Sequence, residues 1–223
     1  MPSLQLYNKL LELPLFLGMS KSDLDEVVER TKFDFLKMES GQVVVKEGQL
    51  CDRLFLLTNG RINVTTVSDD HSYTFIEEIH APTVFQIERT FGLSQRFAST
   101  YETVDTCNFI IIHKDEIMRL TDTYLVFRIN FYNLLSATAQ KAGHLPWRRQ
   151  PKPLRDKVIR FFTDRCRYPA GRKEILIKME TLANEVNDNR LYVSRVLNQL
   201  QDEGLMELRR GRIIIPALEK IIM

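Results

Sequence analysis

Two arginines, Arg190 and Arg195, stand in one short segment with Asn189, Leu191, Tyr192 and Ser194. The apolar residues of that segment, Val193, Val196, Leu197 and Leu200, recur at i, i+3, i+4 and i+7, the signature of a helix packed on one side only. Advancing about 100° per residue from that stripe turns Leu191, Arg195, Asn198 and Asp202 directly outward. Tyr192 and Gln199 fall on one flank, Arg190 and Ser194 on the other. A guanidinium pairs bidentately with guanine O6 and N7, and an apolar side chain meets a thymine methyl, so this face suits the base edges of duplex DNA. Asn189 is well placed to cap the helix. A surface helix that is merely solvated by its arginines stays open as the plainer reading.

The elements around this segment fit a reading head. A short helix beginning near Met179 carries Leu182, Ala183 and Val186, and Asn187-Asp188 turns the chain into the arginine-bearing helix. After Gly204, the runs Leu205 to Leu208 and Ile213 to Ile215 flank the turn Arg209-Arg210-Gly211-Arg212, which reads as a β-hairpin wing. Its arginines, Arg209, Arg210 and Arg212, suit phosphate contacts, which position a protein on DNA without reading sequence. Upstream, Leu154, Val158, Ile159, Phe161 and Phe162 lie at helical spacing, followed by a turn at Pro169-Ala170-Gly171 and a short strand Ile175 to Ile177.

Charge separates this part from the rest. Residues 147–223 hold 17 Lys and Arg against 10 Asp and Glu, net +7, whereas residues 1–146 hold 14 against 19, net −5. The basic segment is the candidate for a polyanion partner. At 223 residues and 44% apolar composition, two domains are expected. The apolar run Leu10 to Leu17 is broken by Glu12 and Pro14, which argues against a signal peptide or membrane span and for a cytoplasmic protein. Cys51, Cys107 and Cys166 have no metal-ligand or redox spacing, as suits a reducing compartment.

The first two-thirds change period twice. Two helical pieces, with Leu6, Leu10 and Leu11 and then Leu24, Val27 and Val28, precede a region of short β-rich runs: Val43 to Val45, Leu54 to Leu57, Ile62 to Val67, Tyr73 to Ile79 and Phe109 to His113. Gly41, Gly48 and Gly60 punctuate them, arguing for a sandwich or barrel. From Lys114 helical spacing returns. Tyr124, Phe127, Phe131, Leu134, Leu135 and Thr138 form one stripe, expected to serve as a dimer interface because a helix outside a closed barrel must cover its remaining apolar side. Gly143 is expected to end this helix, and Pro146, Pro151 and Pro153 mark a hinge.

The glycine-punctuated strands resemble the cyclic-nucleotide-binding β-roll. With roll, long helix, hinge and winged helix in this order, nearly the whole chain resembles the cyclic AMP receptor (Crp/Fnr) superfamily of bacterial transcription regulators. The fold so implied is α+β: a β-roll (jelly roll) effector domain over residues 1–120, a long dimerisation helix over 121–145, a hinge over 146–153 and a winged helix-turn-helix over 154–223. By that resemblance Arg190 and Arg195 fall where the family's base-contacting arginines lie, and Asn189 where a phosphate-contacting cap lies. Leu191 replaces a glutamate often found there, removing an acceptor for a cytosine amino group, so the family's familiar operator is not assumed.

The sensing cassette departs further. Cyclic AMP binders of the family carry a Gly-Glu pair and then an Arg-Ser pair; here the stretches are Phe85-Gln86-Ile87-Glu88-Arg89 and Arg96-Phe97-Ala98-Ser99, with Phe97 and Ala98 in place of Arg and Ser. Cyclic AMP is therefore not supported, although Gln86, Glu88, Arg89, Arg96, Ala98 and Ser99 remain the candidate effector residues, given the cation and donors a phosphate requires. The family's iron–sulfur sensing needs an N-terminal cysteine cluster, which is lacking, and the isolated His71, His80, His113 and His144 give no support to haem or another metal. The expected function is a homodimeric, sequence-specific regulator under an unidentified small effector, with RNA polymerase as a further partner implied by the resemblance. A ligand-binding module acting on a protein partner is the other reading. No P-loop, nucleophile elbow or zinc-ligand cluster argues for an enzyme.

Overall fold

A computed structural model describes residues 2–149 and 151–222. In chain order the elements are α1 (Pro2–Glu12), α2 (Lys21–Arg30), β1 (Phe33–Met38), β2 (Val43–Val45), β3 (Arg53–Asn59), β4 (Arg61–Val67), β5 (Tyr73–His80), β6 (Thr83–Val84), β7 (Thr100–Thr103), β8 (Cys107–His113), α3 (Lys114–Thr123) and α4 (Leu125–His144). They continue with α5 (Leu154–Arg165), β9 (Lys173–Ile177), α6 (Met179–Glu185), α7 (Arg190–Asp202), β10 (Glu207–Arg209), β11 (Arg212–Ile215) and α8 (Glu219–Ile222). The chain forms two compact units, one of residues 1–62 and 80–146, the other of residues 63–79 and 147–223.

In the first unit an antiparallel four-stranded sheet runs β1-β8-β3-β6, and β2 pairs with β7. The strands of this sheet alternate between two apolar environments. Leu54, Leu56, Ile110 and Ile112 join Leu10, Leu13, Phe16, Leu24 and Val27 in a core beneath the helices. Phe55 and Phe109 join the aromatic interior of the roll. The long helical stretch is interrupted: Tyr124 is extended, with φ −111° and ψ 110°, and separates α3 from α4. Its buried ring belongs to the core under α1 and α2, and its carbonyl accepts the first bond of α4 from Arg128 N–H at 3.0 Å.

Two expectations about α4 are corrected. Gly143 lies inside the helix, which runs on to His144. Tyr124, Phe127 and Phe131 are buried within the chain's own core, with Phe16 and Phe127 rings 5.3 Å apart, so they are not available to a second copy; Leu134 and Leu135 pack half-buried against the same core. The helix is apolar on two sides, and the stripe legible in sequence is the inward one. Thr138 is exposed and bonds back to the Leu134 carbonyl.

The second unit gathers one core from elements far apart in sequence. Strand β9 pairs with β11, which pairs with β10, and on its other edge β9 pairs antiparallel with β5, Tyr73 opposite Ile177 and Glu77 opposite Lys173. Phe75 thereby joins Phe161, Phe162, Leu182, Val193, Leu197 and Leu200 in one core. The segment 63–79, expected as part of the roll, thus forms part of the same unit as the C-terminal elements. Trp147 begins the second unit's C-terminal segment, and Gln150 of the expected hinge lies outside the described residues.

Candidate nucleic-acid interface

Helix α7 is held from three sides. At its start Asn189, φ −71° and ψ 134°, accepts the Leu191 N–H on its side-chain oxygen at 2.8 Å, satisfying a donor that the first turn leaves open. The preceding turn needs Asn187 at φ 48°, a left-handed conformation asparagine tolerates, and returns the Asp188 N–H to the Ala183 carbonyl. At the other end Glu203 caps the helix and takes both guanidinium nitrogens of Arg155, at 2.8 and 2.6 Å, tying α7 to α5. This pair and the Gln199 amide draw the Glu203 carboxyl below its usual range. Arg155 had no signal in the helical pattern, since its partner is 48 residues away.

With Val193, Leu197 and Leu200 buried, the opposite face is presented outward. Leu191 is 69% and Tyr192 54% exposed, beside exposed Arg190, Arg195 and Asn198, with Ser194 half-buried. The Arg195 guanidinium lies over the Tyr192 ring, 5.6 Å from its centroid, so the aromatic face narrows the directions in which the cation points. Asn189, expected as a phosphate contact, has its oxygen engaged as the helix cap.

The wing has the expected hairpin form, and Gly211 supplies the positive φ of 70° at its tip. Arg209 and Arg212 face one another across the hairpin; each is drawn to a carboxylate, Arg209 to Glu207 at 3.2 Å and Arg212 to Glu174 at 3.1 Å. Exposed Arg210 stands between them at the turn.

The fold joins the two cassette stretches through Gln86 and Ala98 but leaves their side chains in unlike surroundings. Gln86, at φ 32° in the left-handed region, is buried and its side-chain oxygen accepts the Ala98 N–H at 2.8 Å. Ser99 is buried, Glu88 and Arg89 are half-buried, and Arg96 is exposed, donating to the Gly48 carbonyl at 2.8 Å. Between these stretches five rings gather: Phe85 stacks on Tyr101 at 4.3 Å, Phe109 lies 5.9 Å from Phe85, and Phe55 lies 6.2 Å from Phe97. Phe97, expected to stand in place of the family's cassette arginine, is one of these buried rings. Among the described residues no group of three or more His, Cys, Asp or Glu is disposed to hold a metal, and no helix is long and apolar enough to cross a membrane.

Residues 156–222 match the Crp-like helix-turn-helix domain family, and residues 35–124 match the cyclic nucleotide-binding domain family. The chain is similar in fold to the catabolite activator protein of Thermus thermophilus, with TM-score 0.53 and 18% identity over 93% of this chain and 97% of that one. Other matched structures are the c-di-GMP responsive global regulator CLP of Xanthomonas campestris (TM-score 0.45, 17% identity, 82% and 94% covered) and FixK2 of Bradyrhizobium japonicum (0.47, 11%, 86% and 96%). None of the curated proteins matches the sequence.

Proposed function

We propose that this chain, which belongs to the Crp/Fnr family of transcription regulators, is a homodimeric, sequence-specific DNA-binding regulator controlled by a small effector. The observation that carries the reading is the outward face of α7: an apolar Leu191 beside Arg190, Tyr192 and Arg195 on a capped helix whose other face is buried. Arg195 reads guanine, Leu191 meets a thymine methyl, and the wing arginines engage phosphates.

The dimer forms through the outward side of α4. Leu125, Ile129, Tyr132, Ser136, Ala139 and Gly143 are exposed and alternate at spacings of four and three, a heptad seam whose side chains shrink toward the C-terminal end so that two helices can close together. Two reading heads then meet half-sites about one helical turn apart, roughly 34 Å. The aromatic filling around Phe97 supports an effector other than a cyclic nucleotide at the cassette, and RNA polymerase is the further partner that family membership suggests.

Anisotropy titration of the full chain against a randomised duplex pool at physiological salt tests the proposal. Enrichment of a two-fold related sequence is expected; no enrichment over bulk DNA refutes it.

A further inference from the structure

Within the first unit, a groove of about 660 Å³ lies between the N-terminal helices and the outer face of the four-stranded sheet, a size within the roughly 300–1,000 Å³ of small-molecule sites. The strand register shows how it arises. On the outer face Phe33 lies opposite Ile112, Phe35 opposite Ile110 and Lys37 opposite Asn108. Ile112 and Ile110 are in turn opposite Leu54 and Leu56, and these four are buried by the helices. In the same row as buried Ile110 and Leu56, however, Phe35 is 64% exposed, so the helical cover stops partway across an apolar row.

Beyond that row the lining turns polar. A bulge between Leu57 and Asn59 adds Thr58, whose hydroxyl donates to the Asn108 carbonyl at 3.0 Å, and Lys37 stands beside them. The facing wall is Leu6 and Val28, with Lys9 one helical turn beyond Leu6. Lys9 and Lys37 are held by Glu12 and Glu39 in exposed pairs at 3.1 and 3.4 Å, which exchange partners at little cost. The groove therefore has an apolar length, one polar end and two ammonium groups at its rim.

We propose that this groove binds an amphiphilic monocarboxylate, its apolar chain against Phe35, Ile110, Leu6 and Val28 and its carboxylate against Lys37 and Lys9. A second copy of the chain is a poorer occupant, because a self-complementary contact centred here brings the lysines of both copies together. The site stands as a binding site whether or not the chain reads DNA, so its test needs no operator.

The test is calorimetric titration of the full chain with decanoate, decanol and decylamine, each below its aggregation concentration. Decanoate is expected to saturate one site and bind about tenfold tighter than decanol, the gain from a charge-assisted contact, with decylamine weakest. Lys37→Met with Lys9→Met should bring decanoate down to the level of decanol. Val28→Trp should abolish binding by filling the groove, and where it melts early, the exposed substitution Phe35→Ser should weaken both chains while leaving the melting profile intact. The proposal is overturned by absence of saturable decanoate binding, by decylamine binding as tightly as decanoate, by decanoate binding undiminished in a folded groove variant, or by Phe35→Ser changing the oligomeric state rather than ligand binding.

Discussion

Lys173 Nζ lies 3.1 Å from Glu77 Oε2, with the two side chains 0% and 1% exposed. They are direct register partners across β5 and β9, and each is further satisfied: Lys173 donates to the Ala170 carbonyl at 2.8 Å, and Glu77 accepts the Arg167 and Tyr168 N–H groups at 2.8 and 3.0 Å. A buried pair of this kind is costly to desolvate and costlier to break, since removing one partner strands the other charge. It fixes the β5–β9 register in the sheet that carries the wing.

Breaking that pair should loosen the whole second unit. Glu77→Leu or Lys173→Met alone is expected to cost about 3–5 kcal/mol, while the double apolar replacement costs far less. Hydrogen–deuterium exchange at the β5 and β9 amides measures it; equal protection in both single variants and the wild type would rule the role out.

On α7, Arg195→Ala should cost about 1–3 kcal/mol of specific DNA affinity and relax preference at one base position, while Arg210→Ala weakens all sequences alike and lowers the salt slope by about one. Tyr192→Phe keeps the ring under Arg195 and should bind as wild type, whereas Tyr192→Ala loses about 0.5–1 kcal/mol. Asn189→Ala removes the cap and should lower stability by about 0.5–2 kcal/mol, with Asn189→Asp restoring it. Filter binding over a salt series and thermal melts separate these outcomes.

The two faces of α4 predict opposite phenotypes. Ile129→Asp, on the exposed seam, should give a folded monomer in sedimentation velocity with DNA affinity much reduced. Phe131→Ala, on the buried face beside Phe91, should instead destabilise the fold by about 3–5 kcal/mol. A monomer from the second substitution and none from the first would invert the assignment.

Cys51 is fully buried, and desolvation pushes its thiol from 9.0 up to about 11; burial also raises Cys107. The folded state thus retains protons that the unfolded chain releases. The associated stability is complete below pH 9.0 and is lost as pH rises toward about 11. Urea midpoints measured across this window should fall less steeply in Cys51→Ala, and the native thiol should resist alkylation at pH 8; a wild-type slope in the variant would discount the burial effect.

Family resemblance and local pattern make much of the helix-turn-helix module legible in the sequence. Val193, Val196, Leu197 and Leu200 repeat with the helical period, Asn189 is a capping residue at the right place, and Gly211 stands where a hairpin needs positive φ. These are interactions within a few residues, and residue type alone constrains them. The same short-range signal could say that Phe127 and Phe131 share a stripe with Tyr124, though not whether the chain's own core or a second copy covers it.

What the sequence by itself determined, then, is the order of a β-rich region, a helical stretch and a winged helix-turn-helix, the outward face of α7 and the basic charge gathered after Trp147. Tertiary structure alone decided which face of α4 is spent on the core, that Phe97 joins Phe55, Phe85, Tyr101 and Phe109 inside the roll, and that β5 crosses to pair with β9 roughly a hundred residues later. The reason is physical: periodicity records that a surface must be buried, while the partner that buries it is selected by shape and register among residues distant in sequence.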